Sequence, residues 1–121
     1  MQKMILPYLL FYIFFSCSPK TNVQATLKDS TPVCILKRIG EIKKEPVWSP
    51  AAEINEYSYN GQTVYLVTAN CCDQFITLMD KRCELLCAPS GGFTGRGDGN
   101  CPDFFEKAKH LRLVWKDERG E

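Results

Sequence analysis

The chain has 121 residues, of which 15 are basic, 14 acidic and seven Cys, giving a formal charge of +1. That length makes one small domain, whose limited core commonly needs covalent support. The near-zero charge balance excludes recognition of nucleic acid, or of an acidic membrane surface, through bulk charge.

The first stretch is MQKMILPYLLFYIFFSCSPK. Lys3 supplies a short positive start, and Met4 to Phe15 is a twelve-residue apolar run broken only by Pro7. A transmembrane helix needs about 20 apolar residues, so this run fits the apolar region of an export signal. Ser16 and Cys17 close it and resemble the lipobox of bacterial lipoproteins, in which the Cys thiol is acylated and becomes the new N-terminus. Residues 1–16 are therefore expected to be a lipoprotein signal peptide, and Cys17 the lipidated residue. The following segment to residue 31 is polar and almost free of large apolar groups, which makes 17–31 a lipidated Cys with a flexible spacer. Removal of residues 1–16 takes one Lys away and leaves 14 basic against 14 acidic side chains.

The foldable part is expected over 32–116, with 117–121 a charged C-terminal tail. Thr31-Pro32 has the form of a helix start, a hydroxyl N-cap followed by Pro at the first helical position. Ile35, Leu36, Ile39 and Ile42 follow at helical spacing, with Lys37, Arg38, Glu41 and Lys44 opposite. Gly40 weakens that helix by about 1 kcal/mol, and Pro46 ends it. AEINEYSYNGQTVYLVTA carries the strongest strand signal, with Asn60-Gly61 suited to a type I′ hairpin turn. FITLM and ELLC flank Asp80-Lys81-Arg82-Cys83, a second hairpin. CPDFFEKAKH reads as a short helix, with Pro102 near its start and Asp103 favouring its positive end. LRLVW alternates Leu111, Leu113 and Trp115 against Arg112 and Lys116, as a last strand does. The expected class is α+β: one N-terminal helix on an antiparallel sheet of four to five strands, disulfide-stapled, with a Gly-rich loop and a short second helix.

Six Cys follow Cys17: Cys34, Cys71, Cys72, Cys83, Cys87 and Cys101. An even number in an exported chain reads as disulfides. A vicinal Cys71–Cys72 bond is expected to strain its intervening peptide. Cys83 and Cys87 on one extended strand lie about 13 Å apart, beyond the roughly 7 Å reach of a disulfide. Excluding both pairs removes a third of the fifteen pairings that six Cys allow. Cys87–Cys101 is the leading closure of the Gly-rich run, worth about 3 kcal/mol for a 15-residue loop in the chain-entropy view. Cys101 bonded to Cys71 or Cys72 remains an alternative.

CCDQF followed by CAPSGGFTGRGDGNCPDFF resembles the signature of a family of small Bacteroidota lipoproteins carrying a domain of unknown function. The resemblance covers residues 32–115. It implies an envelope location and a single domain, and it implies no activity.

Several motifs bear on chemistry. A phosphate-binding loop needs backbone N–H groups converging at a helix start, with Gly-Lys-Ser/Thr following; here Asn100-Cys101-Pro102 follows, and Pro has no N–H. Arg96-Gly97-Asp98 matches the integrin-binding tripeptide but is expected to be a charged turn. Asp98, Asn100 and Asp103 offer oxygens, without the alternating acids and distant Glu of an EF-hand. The Cys set lacks the C-x₂-C pairs of structural zinc and of thiol oxidoreductases. His110, the single His, has no neighbouring nucleophile or orienting carboxylate in sequence. Trp48, Tyr57, Tyr59, Tyr65 and Trp115 are expected in or beside the core, with an exposed subset available to a protein or glycan. No catalytic residue, metal ligand or cofactor is assigned. The reading is a non-enzymatic envelope lipoprotein, lipid-anchored at the outer membrane and extracytoplasmic. It acts as a disulfide-stabilised interaction module, with Phe93, Arg96 and Asp98 as its binding loop. Its partners are the membrane, through the lipid, and an envelope protein or glycan. The alternatives are a small inhibitor of an extracytoplasmic hydrolase, whose braced loop is pre-organised for binding, and a thiol-redox or metal-binding protein using the Cys cluster.

Overall fold

A computed structural model describes residues 30–120. The expected signal peptide, the lipidated Cys17 and the spacer up to residue 29 lie outside the described residues. Seven elements follow: α1 (Val33–Ile42), β1 (Glu53–Tyr59), β2 (Gln62–Val67), β3 (Phe75–Met79), β4 (Leu85–Gly91), α2 (Phe104–Lys107) and β5 (Lys109–Lys116). The strands form one antiparallel sheet in the order β4-β3-β2-β1-β5. The α+β class, the helix on the sheet and the short second helix are as the sequence predicts. None of the described helices is long and apolar enough to cross a membrane.

The helix buries a narrow stripe. Ile35, Ile39 and Ile42, at i, i+4 and i+7, are buried, and with Trp48, Ala52, Ile54, Tyr65 and Val67 they make the core on one face of the sheet. Leu36, expected in that stripe, is 40% exposed. Thr31 does not cap the helix. Pro32 is the N-cap, its carbonyl accepts from Ile35 N and Leu36 N, and the buried Thr31 hydroxyl accepts from Arg112 Nη2 at 2.9 Å. The far end of the helix is closed from a distance. Arg119 Nη1 donates to the carbonyls of Lys43 (2.9 Å) and Glu45 (3.1 Å), and Nη2 donates to Ile42 O (3.3 Å). Those carbonyls lie at and just past the helix end, where intrahelical donors run out, and Ile42 O also accepts from Glu45 N at 3.0 Å. Asp117, 1% exposed, holds the guanidinium in place with contacts of 2.7 to 3.2 Å. Asp117 and Arg119, expected as part of a tail, are thus tied to the fold, while Glu118 between them is exposed.

Asn60 (φ +49°) and Gly61 (φ +76°) both adopt the left-handed conformation that a type I′ turn requires. The resulting register pairs Tyr59 with Gln62 and Ile54 with Val67. The second hairpin turns on Asp80, whose Oδ1 accepts from Arg82 N (2.8 Å) and Glu84 N (3.0 Å). Residues of opposite parity face the other side of the sheet. There Tyr59, Val64, Leu66 and Leu78 join Cys87, Cys101 and Phe104 in a second core.

The alternation expected for β5 is not what forms. Two register shifts against β1, between Ile54 and Asn55 and between Glu56 and Tyr57, insert extra residues into β5 and break its two-residue period. Arg112 lies opposite Glu56 and pairs with it at 2.8 Å, both largely buried, while Leu111 and Leu113 are 45% and 49% exposed. Trp115 packs against the helix-side core, as expected.

Candidate functional site

The Gly-rich run begins as the last residues of β4 and then folds back along that strand. β4 is an edge of the sheet, and an unpaired edge invites adventitious strand addition. The loop covers it. Gly97 N donates to Gly91 O (3.0 Å), Asp98 N donates to Ala88 O (2.9 Å), and Gly91 and Arg96 form a parallel bridge. Such close approach excludes a side chain at position 97. A Cβ on Gly97 would overlap Ala88 O and lie 2.7 Å from Pro89 C, and the residue has φ +74°. Glycine here serves backbone contact with β4.

The base of the loop is welded to the second core. Cys87 and Cys101, with Cα atoms 6.1 Å apart, are bonded, and both side chains are buried. Cys101 O accepts from Phe104 N, and Phe104, fully buried, meets the edges of Tyr57 and Tyr59 at 5.0 and 5.2 Å. Asp103 is tied to the same corner. It accepts from Tyr59 OH at 2.6 Å and pairs with Lys107 Nζ at 2.9 Å. The Tyr59 hydrogen bond, followed by Lys107, holds the Asp103 carboxyl below its usual range. The same bond pushes the Tyr59 phenol up.

Between these anchors the loop projects. Gly95 N donates to Gly92 O in a tight turn, and Arg96 N donates to Thr94 Oγ1. At the tip Phe93 is 94% exposed. Arg96 is exposed, and its guanidinium has no ion pair among the described residues. Asp98, the third predicted loop residue, does different work. Its Oδ1 accepts from Asn100 N at 2.9 Å, its own N–H is spent on β4, and the Asn100 N–H holds its carboxyl below the usual range. The backbone of Arg96, Gly97 and Asp98 therefore runs along the strand edge as a strip, while the Arg96 side chain projects from it. Asp98 and Asp103 face different partners, and among the described residues no three His, Cys, Asp or Glu side chains are placed to hold a metal ion.

All six predicted Cys are bonded. Cys34–Cys83 joins the start of α1 to the second hairpin turn, with Cα atoms 6.0 Å apart, and Cys71–Cys72 is a vicinal bond in the turn between β2 and β3. The last corrects the exclusion made from sequence, so the observed pairing lies outside the set that exclusion retained. The usual Cα separation of about 4.4–6.8 Å describes bridges between separate segments. Here neighbouring Cα atoms are 3.7 Å apart in a reversal closed by Gln74 N donating to Cys71 O, and the other four Cys are paired across elements. Cys101 reaches neither Cys71 nor Cys72.

The remaining candidates are structural in their surroundings. His110 Nε2 lies 2.9 Å from Asn55 Oδ1, and its ring meets the edge of Tyr57 at 5.0 Å. Trp48, Tyr59 and Tyr65 are buried, and Trp115 lies beneath Lys43. Among the described residues the exposed Phe side chains are instead Phe93, Phe105 and Phe75. Phe105 and Phe75 were not singled out from sequence, because the patterns FITLM and DFFEK do not tell which ring is turned outward.

The family described as Domain of unknown function (DUF6970) matches residues 40–117. The chain belongs to that family. No curated protein and no solved structure matches it.

Proposed function

We propose that this chain is a non-enzymatic lipoprotein of the bacterial envelope, anchored through Cys17 at the outer membrane, whose domain presents the 93–96 tip to an envelope protein or glycan. The observation that carries the reading is Phe93, a large apolar ring 94% exposed on a loop held at both ends. Exposed aromatic and Arg side chains are the types enriched at the energetic centres of interfaces. The bracing matters as much as the residues. Edge pairing with β4 and the Cys87–Cys101 bond fix the ends of the tip, so less ordering is required on binding. Three disulfides support an oxidising compartment, and the charge balance turns the choice of partner away from nucleic acid.

The test is photo-crosslinking in cells from position 93 of the full chain. Adducts of discrete mass are expected. Phe93→Ala with Arg96→Ala should abolish co-purification of the same species while leaving the melting temperature unchanged. If the folded double variant keeps every envelope interaction of the parent, the loop is structural alone and the proposal fails.

A further inference from the structure

We propose that Cys71–Cys72 is a thiol–disulfide exchange site, opened and reclosed by an external dithiol while the other two disulfides remain intact. Two observations single it out, and a third, a recess beside the sulfurs, is shared with Cys34–Cys83. The first is access. Both Cys71 and Cys72 are exposed, whereas Cys87 and Cys101 are 4% and 3% exposed and Cys34 and Cys83 pack partly buried against the helix-side core. Exchange proceeds by attack of a thiolate on a disulfide sulfur, so it needs a reachable sulfur, and exposed disulfides are the labile ones.

The second observation is what each bond encloses. Cys34–Cys83 and Cys87–Cys101 span sequence separations of 49 and 14, while Cys71–Cys72 spans one. Opening the long-range bonds releases chain that the fold must then hold by packing alone. Opening the vicinal bond releases none, because no residue lies between its ends. The domain therefore has little thermodynamic use for this bond as a staple, and it can lose and regain it without unfolding.

The third is a place for a partner beside the sulfurs. The two Cys form one wall of a recess of about 250 Å³, with Pro50, Ala69, Ile76 and Gly91 among the rest. An apolar side chain flanking an attacking thiol fits there.

In the exchange, a thiolate of the dithiol attacks one of the two sulfurs. A mixed disulfide forms as the Cys71–Cys72 bond breaks, and the displaced Cys leaves as a thiolate and takes up a proton. The second thiol of the reagent, as thiolate, then attacks the reagent's own sulfur in the mixed disulfide. This frees the other Cys, which is protonated in turn. The domain gains two electrons and two protons, and the dithiol becomes a disulfide. An oxidant of the disulfide class runs the same steps in reverse.

The experiment is a titration of the oxidised full-length protein with dithiothreitol, without denaturant, followed by alkylation and peptide mapping. Cys71 and Cys72 should become alkylated together, at a dithiothreitol concentration at least about tenfold below that needed for the other four Cys. Circular dichroism should not change over that range, and oxidised glutathione should restore the bond. C71S/C72S should fold, melt within a few degrees of the parent and show no thiol in the low range. The proposal is overturned if Cys34–Cys83 or Cys87–Cys101 opens at the same or lower concentration. It is equally overturned if Cys71 and Cys72 are alkylated before any reductant is added, or if C71S/C72S does not fold.

Discussion

Gly95 and Gly97 allow the edge-covering role of the loop to be measured, because they share a backbone conformation and differ in their surroundings. Their φ values are +73° and +74°. Nothing lies within 4 Å of a Cβ built on Gly95, whereas one built on Gly97 overlaps Ala88 O and comes within 2.7 Å of Pro89 C and 2.8 Å of Ser90 N. All three atoms are backbone of β4 and cannot rotate aside. Each Ala substitution costs about 1–2 kcal/mol for a side chain in the left-handed region. Gly97→Ala must in addition push the strip off β4, breaking the hydrogen bonds from Gly97 N to Gly91 O and from Asp98 N to Ala88 O. At about 0.5–1.5 kcal/mol each, these bring the total to about 2–5 kcal/mol. One kcal/mol shifts the melting temperature of a domain this size by about 4–8 °C. Calorimetry of the two oxidised variants should therefore show a drop of roughly 5–15 °C for Gly95→Ala and a further loss of about 4 °C or more for Gly97→Ala. Equal drops would refute the claim that the glycine at 97 is there for contact with the strand edge.

Two further outcomes are expected. Arg119 holds the Asp117 carboxyl below its usual range, and a carboxyl whose folded pKa is depressed contributes stability that is present above its unfolded pKa and lost as pH falls through the folded one. Asp117→Asn should thus lower the melting temperature by several degrees at pH 7 and flatten its decline below about pH 4, where Asp98 and Asp103 still titrate; an unchanged acid limb would contradict this. Cys17→Ala removes the sulfur expected to carry the lipid and should abolish incorporation of radiolabelled fatty acid, and label retained in the variant would defeat the anchor.

The parts of the fold that were legible in the sequence are those whose cause is local. Asn60-Gly61 dictates its turn because both residues tolerate positive φ, and the register of β1 on β2 follows from it. Ile35, Ile39 and Ile42 mark the buried face because helical spacing puts them on one stripe. Long-range causes left no local mark. Side-chain donors at the end of α1 come from Arg119, more than seventy residues away, so a charged C-terminal pentapeptide read as a tail. In LRLVW the period-two pattern was read correctly as a strand and Trp115 packs as its apolar position suggests, but the exposure of Leu111 and Leu113 was not legible, since register shifts against β1 depend on pairing that the strand itself does not encode. The Cys87–Cys101 closure was visible because the two Cys bracket a run of glycines. The vicinal bond was missed because its exclusion rested on strain and took no account of where the other four Cys go. For the candidate site, the prominence of Phe93 and Arg96 was legible, and the local turn in which the exposed Asp98 accepts from Asn100 N was not.

The two sheet edges explain how much of the Gly-rich run is left without a structural duty. β5 is interrupted by two register shifts and carries Lys109, Arg112 and Lys116, all features that discourage strand addition. β4 has Pro89 and is otherwise protected by the loop lying against it. That protection accounts for Gly97 and Asp98, and the buried disulfide accounts for Cys101. Gly92 and Gly95 form the turn that reverses the chain. None of these duties requires an aromatic ring at 93 or a guanidinium at 96: a polar residue at either place would leave the edge pairing, the disulfide and the turn intact. Leaving a ring 94% exposed gives up the gain from burying apolar surface, about 25 cal/mol per Å². A partner that covered Phe93 would recover it, so under the proposed function the tip, and not the glycines around it, is where substitution would separate binding from folding.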